Sequence, residues 1–359
     1  TACSCPQRSA MQRPSEARYA FVVNWYDTAA CIIREYQLVF YEADGTIEMY
    51  DTKNRRTFLK RCDYPAVKLN NLYKGGIITV YSRQLTIVAY ADDFTARAFT
   101  EKTQSTMAYV LDEATASLGK VFEMAAACGL MVTELRMCAL GGHAAGLFAD
   151  SALAASLSSG PCFAMKLIGE DAVAKWASAI SGKAGIAGSA DGASAEREAE
   201  FIFSKLQLPK PADVHLSSLL LVRPHAVKEG KLGAVVSALL ESGFAIAGCQ
   251  MVQMSRPNAY EFFEVYKGVV PEYSDWVDEI VGGKCVAFQV VFKDQPVNTV
   301  PALRELCGAH DPEIAHHLHK SSLRALYGES KVKNCVHCTD LPEDGALEVD
   351  YFFTILPCA

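Results

Sequence analysis

The chain has no apolar run approaching the ~20 residues that span a bilayer, so no transmembrane helix is expected and no membrane partner. It also has no surplus of basic residues. With 34 Lys and Arg against 41 Asp and Glu, the net charge is −7. Nucleic acid is therefore not an expected partner, because binding its phosphates needs a basic surface. The glycines of 182–192 are not followed by Gly-Lys-Ser/Thr, so that stretch reads as a loop and not a phosphate cradle. Cys335, His337 and Cys338 crowd together, but no second half completes a zinc site, and no metal-ligating residues are expected. His310, His316, His317 and His319 read as exposed helical residues. Residues 1–16 lack the apolar core of a secretory signal and read as a polar arm. The thirteen cysteines are scattered, several in apolar runs (Cys128, Cys162, Cys249, Cys285) where a buried thiol behaves as a small hydrophobe. A reducing cytoplasm suits them better than secretion.

What is present is enough for two or three domains: 359 residues, half of them apolar. Residues 17–104 alternate like strands, in 20–26, 36–41, 46–50, 77–81 and 85–90, with Asp44-Gly45 as a hairpin turn. After residue 104 the pattern becomes strand, helix, strand, and it repeats. Gly119, Gly129 and Met137 return as Gly233, Gly243 and Met251 at one offset, since 233 − 119, 243 − 129 and 251 − 137 are all 114. Cys162 returns as Cys285, at 285 − 162 = 123, and Glu198 as Glu348, at 348 − 198 = 150. The growing offset means that the first copy lacks a loop and a helix that the second keeps. Residues 204–217, with Pro209 and Pro211, read as the linker. The expected fold is α+β: a β-rich domain at 17–104, then two tandem α/β sandwiches at 105–203 and 218–359 that pack on each other.

In the second copy, Lys333-Asn334-Cys335-Val336-His337 follows Arg324 by ten residues at the Asn and precedes Glu348 by eleven at the His. With Arg304 before Gly308, Asp311-Pro312, Tyr266 and Arg223-Pro224-His225-Ala226-Val227, this stretch resembles the nucleoside diphosphate kinases over about 219–354. The resemblance implies tandem ferredoxin-like domains and gives each residue a role. His337 is the nucleophile that accepts the γ-phosphate of ATP, and Glu348 anchors its second nitrogen. Arg304 and Arg324 clamp phosphates, Tyr266 donates to the transferring phosphoryl, and Asn334 bonds ribose or phosphate. Magnesium rides on the nucleoside triphosphate with few protein ligands. The sequence departs from the family at Arg223, in place of lysine, at Cys338, in place of glycine, and at His310, in place of threonine. In the first copy Ala187 stands where the histidine belongs and Leu111 where the lysine belongs, and both arginines are expected to fall within the missing segment. Residues 17–104 resemble the ciliary DM-ten module through Asn24-Trp25-Tyr26-Asp27, Phe40-Tyr41 and Glu48-Met49-Tyr50-Asp51. That order of modules matches a ciliary branch of the kinase family. It implies residence in the flagellar axoneme, in cytoplasm and cytoskeleton, with tubulin and other microtubule proteins as partners. Lys53, Arg55, Arg56, Lys60 and Arg61 would then face acidic tubulin. Two functions fit: a structural microtubule protein keeping a weak phosphotransfer site, and an active kinase working through His337.

Overall fold

A computed structural model describes residues 17–27, 30–81, 83–206 and 214–356; the polar arm and half of the expected linker lie outside them. The chain divides into two units, residues 1–100 and 101–359.

The first unit is one antiparallel sheet. Its strands are β1 (Arg18–Asp27), β2 (Ile32–Tyr41), β3 (Thr46–Asp51), β4 (Arg56–Asp63), β5 (Ile77–Val80) and β6 (Arg83–Tyr90). They stand in the order β4-β3-β2-β1-β6-β5. Asp44-Gly45 makes the β2–β3 turn, with Phe40 opposite Ile47. β4 was not among the expected strands. Its residues are largely charged and exposed, because it is an edge, and charge on an edge strand discourages pairing with another chain. A helix at Asp93–Lys102 closes the unit by setting Phe99 edge-on against Tyr19 and Phe21, both 5.1 Å away.

The second unit is built on an eight-stranded sheet. Its strands are β7 (Gln104–Leu111), β8 (Met131–Ala139), β9 (Pro161–Gly169), β10 (Ile186–Gly188), β11 (Ser218–Val222), β12 (Phe244–Val252), β13 (Cys285–Phe292) and β14 (Val336–Cys338). The order β10-β7-β9-β8-β12-β13-β11-β14 is one four-strand arrangement followed by its reverse, joined where Arg136 of β8 meets Gln250 of β12. Each half is an antiparallel ferredoxin-like sheet, with its first strand inside and its last at the rim. Helices cover both faces. In β11, Leu220 and Val222 therefore pack into one core while Leu219 and Leu221 pack into another.

The junction explains the sequence repeat. Gly119 and Gly233 lie near the start of two helices that correspond in the repeat, Leu118–Ala127 and Leu232–Glu241, where the two helices cross. A Cβ on Gly119 would lie 2.6 Å from the Gly233 carbonyl oxygen, and one on Gly233 would lie 2.8 Å from that of Gly119. Only glycine permits that approach. Gly119→Ala should cost about 1–3 kcal/mol of stability, seen as a lower urea midpoint; an unchanged midpoint would mean that the helices separate freely. Arg136 donates to the Ile202 carbonyl (2.6 Å), and its partner Gln250 donates to that of Phe352, so each β8/β12 edge residue holds its own half's C-terminal turn.

The missing segment is narrower than the offsets suggested. Ala172–Ile180 follows β9 just as Thr299–Cys307, which carries Arg304, follows β13. The helices without counterparts are Pro312–Leu318 and Leu323–Tyr327, so only Arg324 falls in the lost stretch. Of the four cysteines expected in the core, Cys162, Cys249 and Cys285 are buried, while Cys128, at a helix C-terminus, is partly buried and packs against the core.

Candidate functional site

β14 is three residues long and pairs with β11, so that His337 faces Leu221 across the ladder. Just before it the chain turns through Cys335 at φ 75°, a left-handed conformation that costs a non-glycine residue about 1–3 kcal/mol. Two backbone bonds hold this turn. The Arg223 amide donates to the Cys335 carbonyl (2.9 Å), and the Cys335 amide donates to His225 Nε2 (3.2 Å). Because Nε2 accepts, the His225 proton sits on Nδ1, which meets Glu279 Oε1 at 2.7 Å.

The His337 imidazole is buried edge-on against Phe262, 5.1 Å away. Its Nε2 lies 3.3 Å from each Glu348 oxygen, and Thr339 Oγ1 donates to Glu348 Oε2 (2.8 Å). Nδ1 has no protein partner among the described residues. Burial pushes the imidazole down, but the Glu348 charge and hydrogen bond outweigh it, and His337 titrates above its ordinary value.

His337 lines a cavity of about 760 Å³ together with Arg223, Tyr266, Arg304, Arg324 and Asn334. The candidate residues thus meet in one place, with Glu348 behind the ring. Arg304 donates to the Asp340 carbonyl (2.7 Å) and is half-exposed, so its guanidinium can turn. Tyr266 donates to Asp340 Oδ2 (2.6 Å), and its hydroxyl is held well above the usual range by burial and by Asp340. Arg324 is buried and fixed, donating to the carbonyls of Gly308 (2.8 Å) and Val336 (3.2 Å). Asn334 accepts from Arg223 Nη1 (3.1 Å) and donates to His310.

Two features were not legible in the sequence. Arg223 does not extend into open space: it is 2% exposed, and its Nε donates to Glu279 Oε2 at 2.8 Å. Burial would raise the Glu279 carboxyl, but Arg223 and His225 hold it below its ordinary value. The arginine was itself the available signal, because a buried guanidinium needs a buried carboxylate. The second feature corrects the reading of His310. His316, His317 and His319 are exposed, but His310 packs 4.7 Å from the Trp276 ring inside the cavity. Burial, then Arg324 and Arg223, push it down to about 4, so it is neutral at pH 7. Its Nε2, Arg223 Nη2 and Trp276 Nε1 are buried without protein partners among the described residues, three polar groups around one cavity. Among the described residues no three His, Cys, Asp or Glu side chains gather as a metal site.

The equivalent place in the first half is filled. Ala187 pairs with Tyr109 as His337 pairs with Leu221. The fully buried Tyr109 donates to Glu198 Oε2 (2.8 Å), and Ser189 donates to the same oxygen (2.5 Å), as Thr339 does to Glu348. A tyrosine hydroxyl thus satisfies the carboxylate that serves the imidazole in the other half.

Residues 217–356 match the family model described as nucleoside diphosphate kinase, and residues 13–101 match one described as nucleoside diphosphate kinase 7 N-terminal PH domain. The chain is 39% identical to the mouse (Mus musculus) nucleoside diphosphate kinase homolog 7, over 94% of this chain and 93% of that one. It is 36% identical to a Chlamydia muridarum nucleoside diphosphate kinase over 38% of this chain and 91% of that protein. Among solved structures, the Aquifex aeolicus nucleoside diphosphate kinase aligns with 29% identity and a TM-score of 0.36, over 38% of this chain and 94% of that one. The chain belongs to the nucleoside diphosphate kinase family, in its homolog 7 branch. The β-rich module expected to be of DM-ten type is the part that the matching model describes as a PH domain.

Proposed function

We propose that the second half, residues 218–359, transfers phosphoryl groups between nucleotides through a phosphohistidine at His337, and that residues 105–203 are a degenerate, truncated copy that supports it. One observation carries the reading: His337 presents an unpartnered Nδ1 in a cavity with Arg223, Tyr266, Arg304, Arg324 and Asn334, while Glu348 engages Nε2. Nδ1 of the neutral ring attacks the γ-phosphorus of ATP, the bond from that phosphorus to the bridging oxygen breaks, and ADP leaves. A second nucleoside diphosphate then attacks the phosphohistidine and restores the ring. Arg304, which can turn from Asp340, balances charge on the transferring group, and Tyr266 donates a hydrogen bond to it. Acceptor oxygens of the nucleotide would also satisfy whichever of Arg223 Nη2, Trp276 Nε1 and His310 Nε2 they reach. Magnesium, carried on the phosphate oxygens, would offset their charge; the absence of a clustered donor set among the described residues suits a metal that arrives with the substrate. The test is to incubate the protein with labelled ATP and look for an acid-labile, alkali-stable phosphate on residues 331–340. No label on the intact protein would sink the reading.

The pH dependence has a definite sign. Attack needs neutral imidazole, and His337 titrates above its ordinary value. Phosphoenzyme formation should therefore rise with pH, with its midpoint above about 6.5. A rapid-quench series from pH 5.5 to 8.5 reads this directly. A midpoint near 5 would show that Glu348 does not hold the proton on the ring.

A second role, as a structural component of the ciliary axoneme bound to tubulin, rests on the likeness of the module order and on the basic, exposed Lys53, Arg55, Arg56 and Lys60 at the β3–β4 edge. Its test is co-sedimentation with microtubules. Binding should weaken several-fold between low and physiological salt and again when these four residues are changed to Ser. Unchanged binding in the quadruple variant would remove the assignment.

A further inference from the structure

The resemblance gives Asn334 a bond to ribose or phosphate, but its amide is already engaged. Oδ1 accepts from Arg223 Nη1 (3.1 Å), and Nδ2 donates to the His310 carbonyl (3.2 Å) and to His310 Nδ1 (3.0 Å). A guanidinium only donates and a carbonyl only accepts, so the amide has one orientation and His310 Nδ1 must be the acceptor. Asn334 is itself 1% exposed. The proton of the neutral His310 ring therefore sits on Nε2, a buried atom with no protein partner among the described residues. Two further groups share that condition. Arg223 has Nε held by Glu279 and Nη1 by Asn334, which leaves Nη2, and Trp276 Nε1 is likewise buried and unpartnered. The three side chains are neighbours on one cavity wall. The His310 ring packs 4.7 Å from that of Trp276, and Arg223 Cζ lies 5.7 Å from the same ring. Each of the three groups can give a hydrogen bond and none can accept one. An ionised phosphate oxygen, which has lone pairs and no hydrogen, fits them. A ribose hydroxyl or a base amine brings hydrogens that none of the three accepts.

We propose that Arg223, Trp276 and His310 form a phosphate subsite of the nucleotide cavity, and that Asn334 builds it as a positioning residue without binding nucleotide itself. The inference rests on the reading of the cavity as a nucleotide site. Asn334 acts in two directions, fixing the tautomer of His310 on one side and the fork of Arg223 on the other. Protonating His310 would set an Nδ1 hydrogen against the Asn334 amide hydrogens, and the amide cannot turn over because Arg223 holds Oδ1. The contacts thus keep the ring neutral, in agreement with its burial beside Arg324 and Arg223. Arg223 supplies the positive charge, and the two ring N–H groups supply direction.

Trp276 provides the reporter, because its indole N–H has no protein partner among the described residues. Full-length protein with magnesium is titrated with ADP, inorganic phosphate or adenosine. The indole N–H signals of its three tryptophans are followed by NMR, and binding is followed by calorimetry. The Trp276 signal is the one missing in Trp276→Phe. ADP should shift it and adenosine should not. A shift with adenosine equal to that with ADP, no shift in protein that binds ADP, or no ADP binding at all overturns the subsite. A shift with inorganic phosphate but none with ADP overturns its assignment to a nucleotide. His310→Phe keeps a ring against Trp276 without Nε2 and should weaken ADP binding about tenfold. His310→Gln can place an amide N–H where Nε2–H stood and should stay within about threefold of the unaltered protein. Equal loss in both variants, or none in His310→Phe, overturns the donor role. For Asn334 the readout is the His310 ring nitrogens, of which only Nε2 should carry a proton at pH 7. Asn334→Leu should give a mixture of the two tautomers; the Nε2–H form alone would show that Asn334 does not set it. Should Asn334→Leu not fold, the unaltered protein decides, since a proton on Nδ1 overturns the assignment by itself. ADP that shifts Trp276 in protein forming no phosphoenzyme would defeat the phosphotransfer reading and leave the subsite standing.

Discussion

Replacing His337 with Ala should abolish the proposed phosphoenzyme, because among the described residues no other nucleophile of the cavity has a partner arranged like Glu348. The covalent intermediate needs a ring nitrogen whose lone pair is free while the other nitrogen is anchored. His337 meets both conditions, with Nε2 3.3 Å from the Glu348 oxygens. Glu348→Ala should slow labelling by about 10–100-fold, or about 1.4–2.7 kcal/mol of transition-state stabilisation, because the ring keeps its place among Phe262 and Phe263 but loses its tautomer restraint. Thr339→Ala should have a smaller effect in the same direction, since it orients the carboxylate and not the ring. The measurement is incorporation of label from ATP under single-turnover conditions. Phosphoenzyme persisting in His337→Ala would place the nucleophile elsewhere. Loss as complete in Glu348→Ala as in His337→Ala would make the carboxylate indispensable and not orienting.

Removing the Glu279 carboxylate should have the largest effect on stability. Glu279 is buried with Arg223 and His225, and it bonds both side chains at 2.8 and 2.7 Å. Glu279→Ala leaves the Arg223 guanidinium, 2% exposed, without a counter-charge, and a broken buried pair costs about 3–5 kcal/mol. It also releases the His225 ring that fixes the turn at Cys335, so the strain at φ 75° loses a restraint. The double change Arg223→Met with Glu279→Leu removes both charges and should recover much of the loss, although the cavity is then without one of its cations. Urea unfolding followed by circular dichroism reads both values. A loss below about 1 kcal/mol for Glu279→Ala would show that water reaches Arg223. The carboxyl is held below its ordinary value when folded, so its contribution is present above the unfolded carboxylate range. It is lost as pH falls through the lower folded value.

The strands were legible where alternation or a buried apolar run met a turn. The expected strand 46–50 misses only Asp51 of β3, and 77–81 runs one residue past β5. β4 escaped notice because an edge strand carries charge on positions that a central strand would fill with apolar side chains. His337, Glu348, Arg304, Arg324, Asn334 and Tyr266 were recoverable through the resemblance to the nucleoside diphosphate kinases, which stands on several motifs in one order. The reach of the missing segment was misjudged because offsets count residues and do not say which helix they belong to. Ala172–Ile180 survives as the counterpart of the helix that carries Arg304.

The sequence by itself determined the repeat and the alternation of strand and helix in the second unit, because periodicity is a property of the chain, and its family resemblance named the residues that meet at His337. Tertiary structure alone decided which charges balance which. Glu279 lies 56 residues from Arg223 and 54 from His225, and no local pattern announces that the three share one buried pocket. It also decided why Gly119 and Gly233 repeat at all: each leaves room for the other's backbone at a crossing between elements far apart in the chain. Likewise, only the folded chain shows Tyr109 taking over the carboxylate of the first half, 89 residues away, where a histidine is absent. Such pairings depend on which surfaces the sheet brings within 3 Å, and that distance is set by packing and not by position in the sequence.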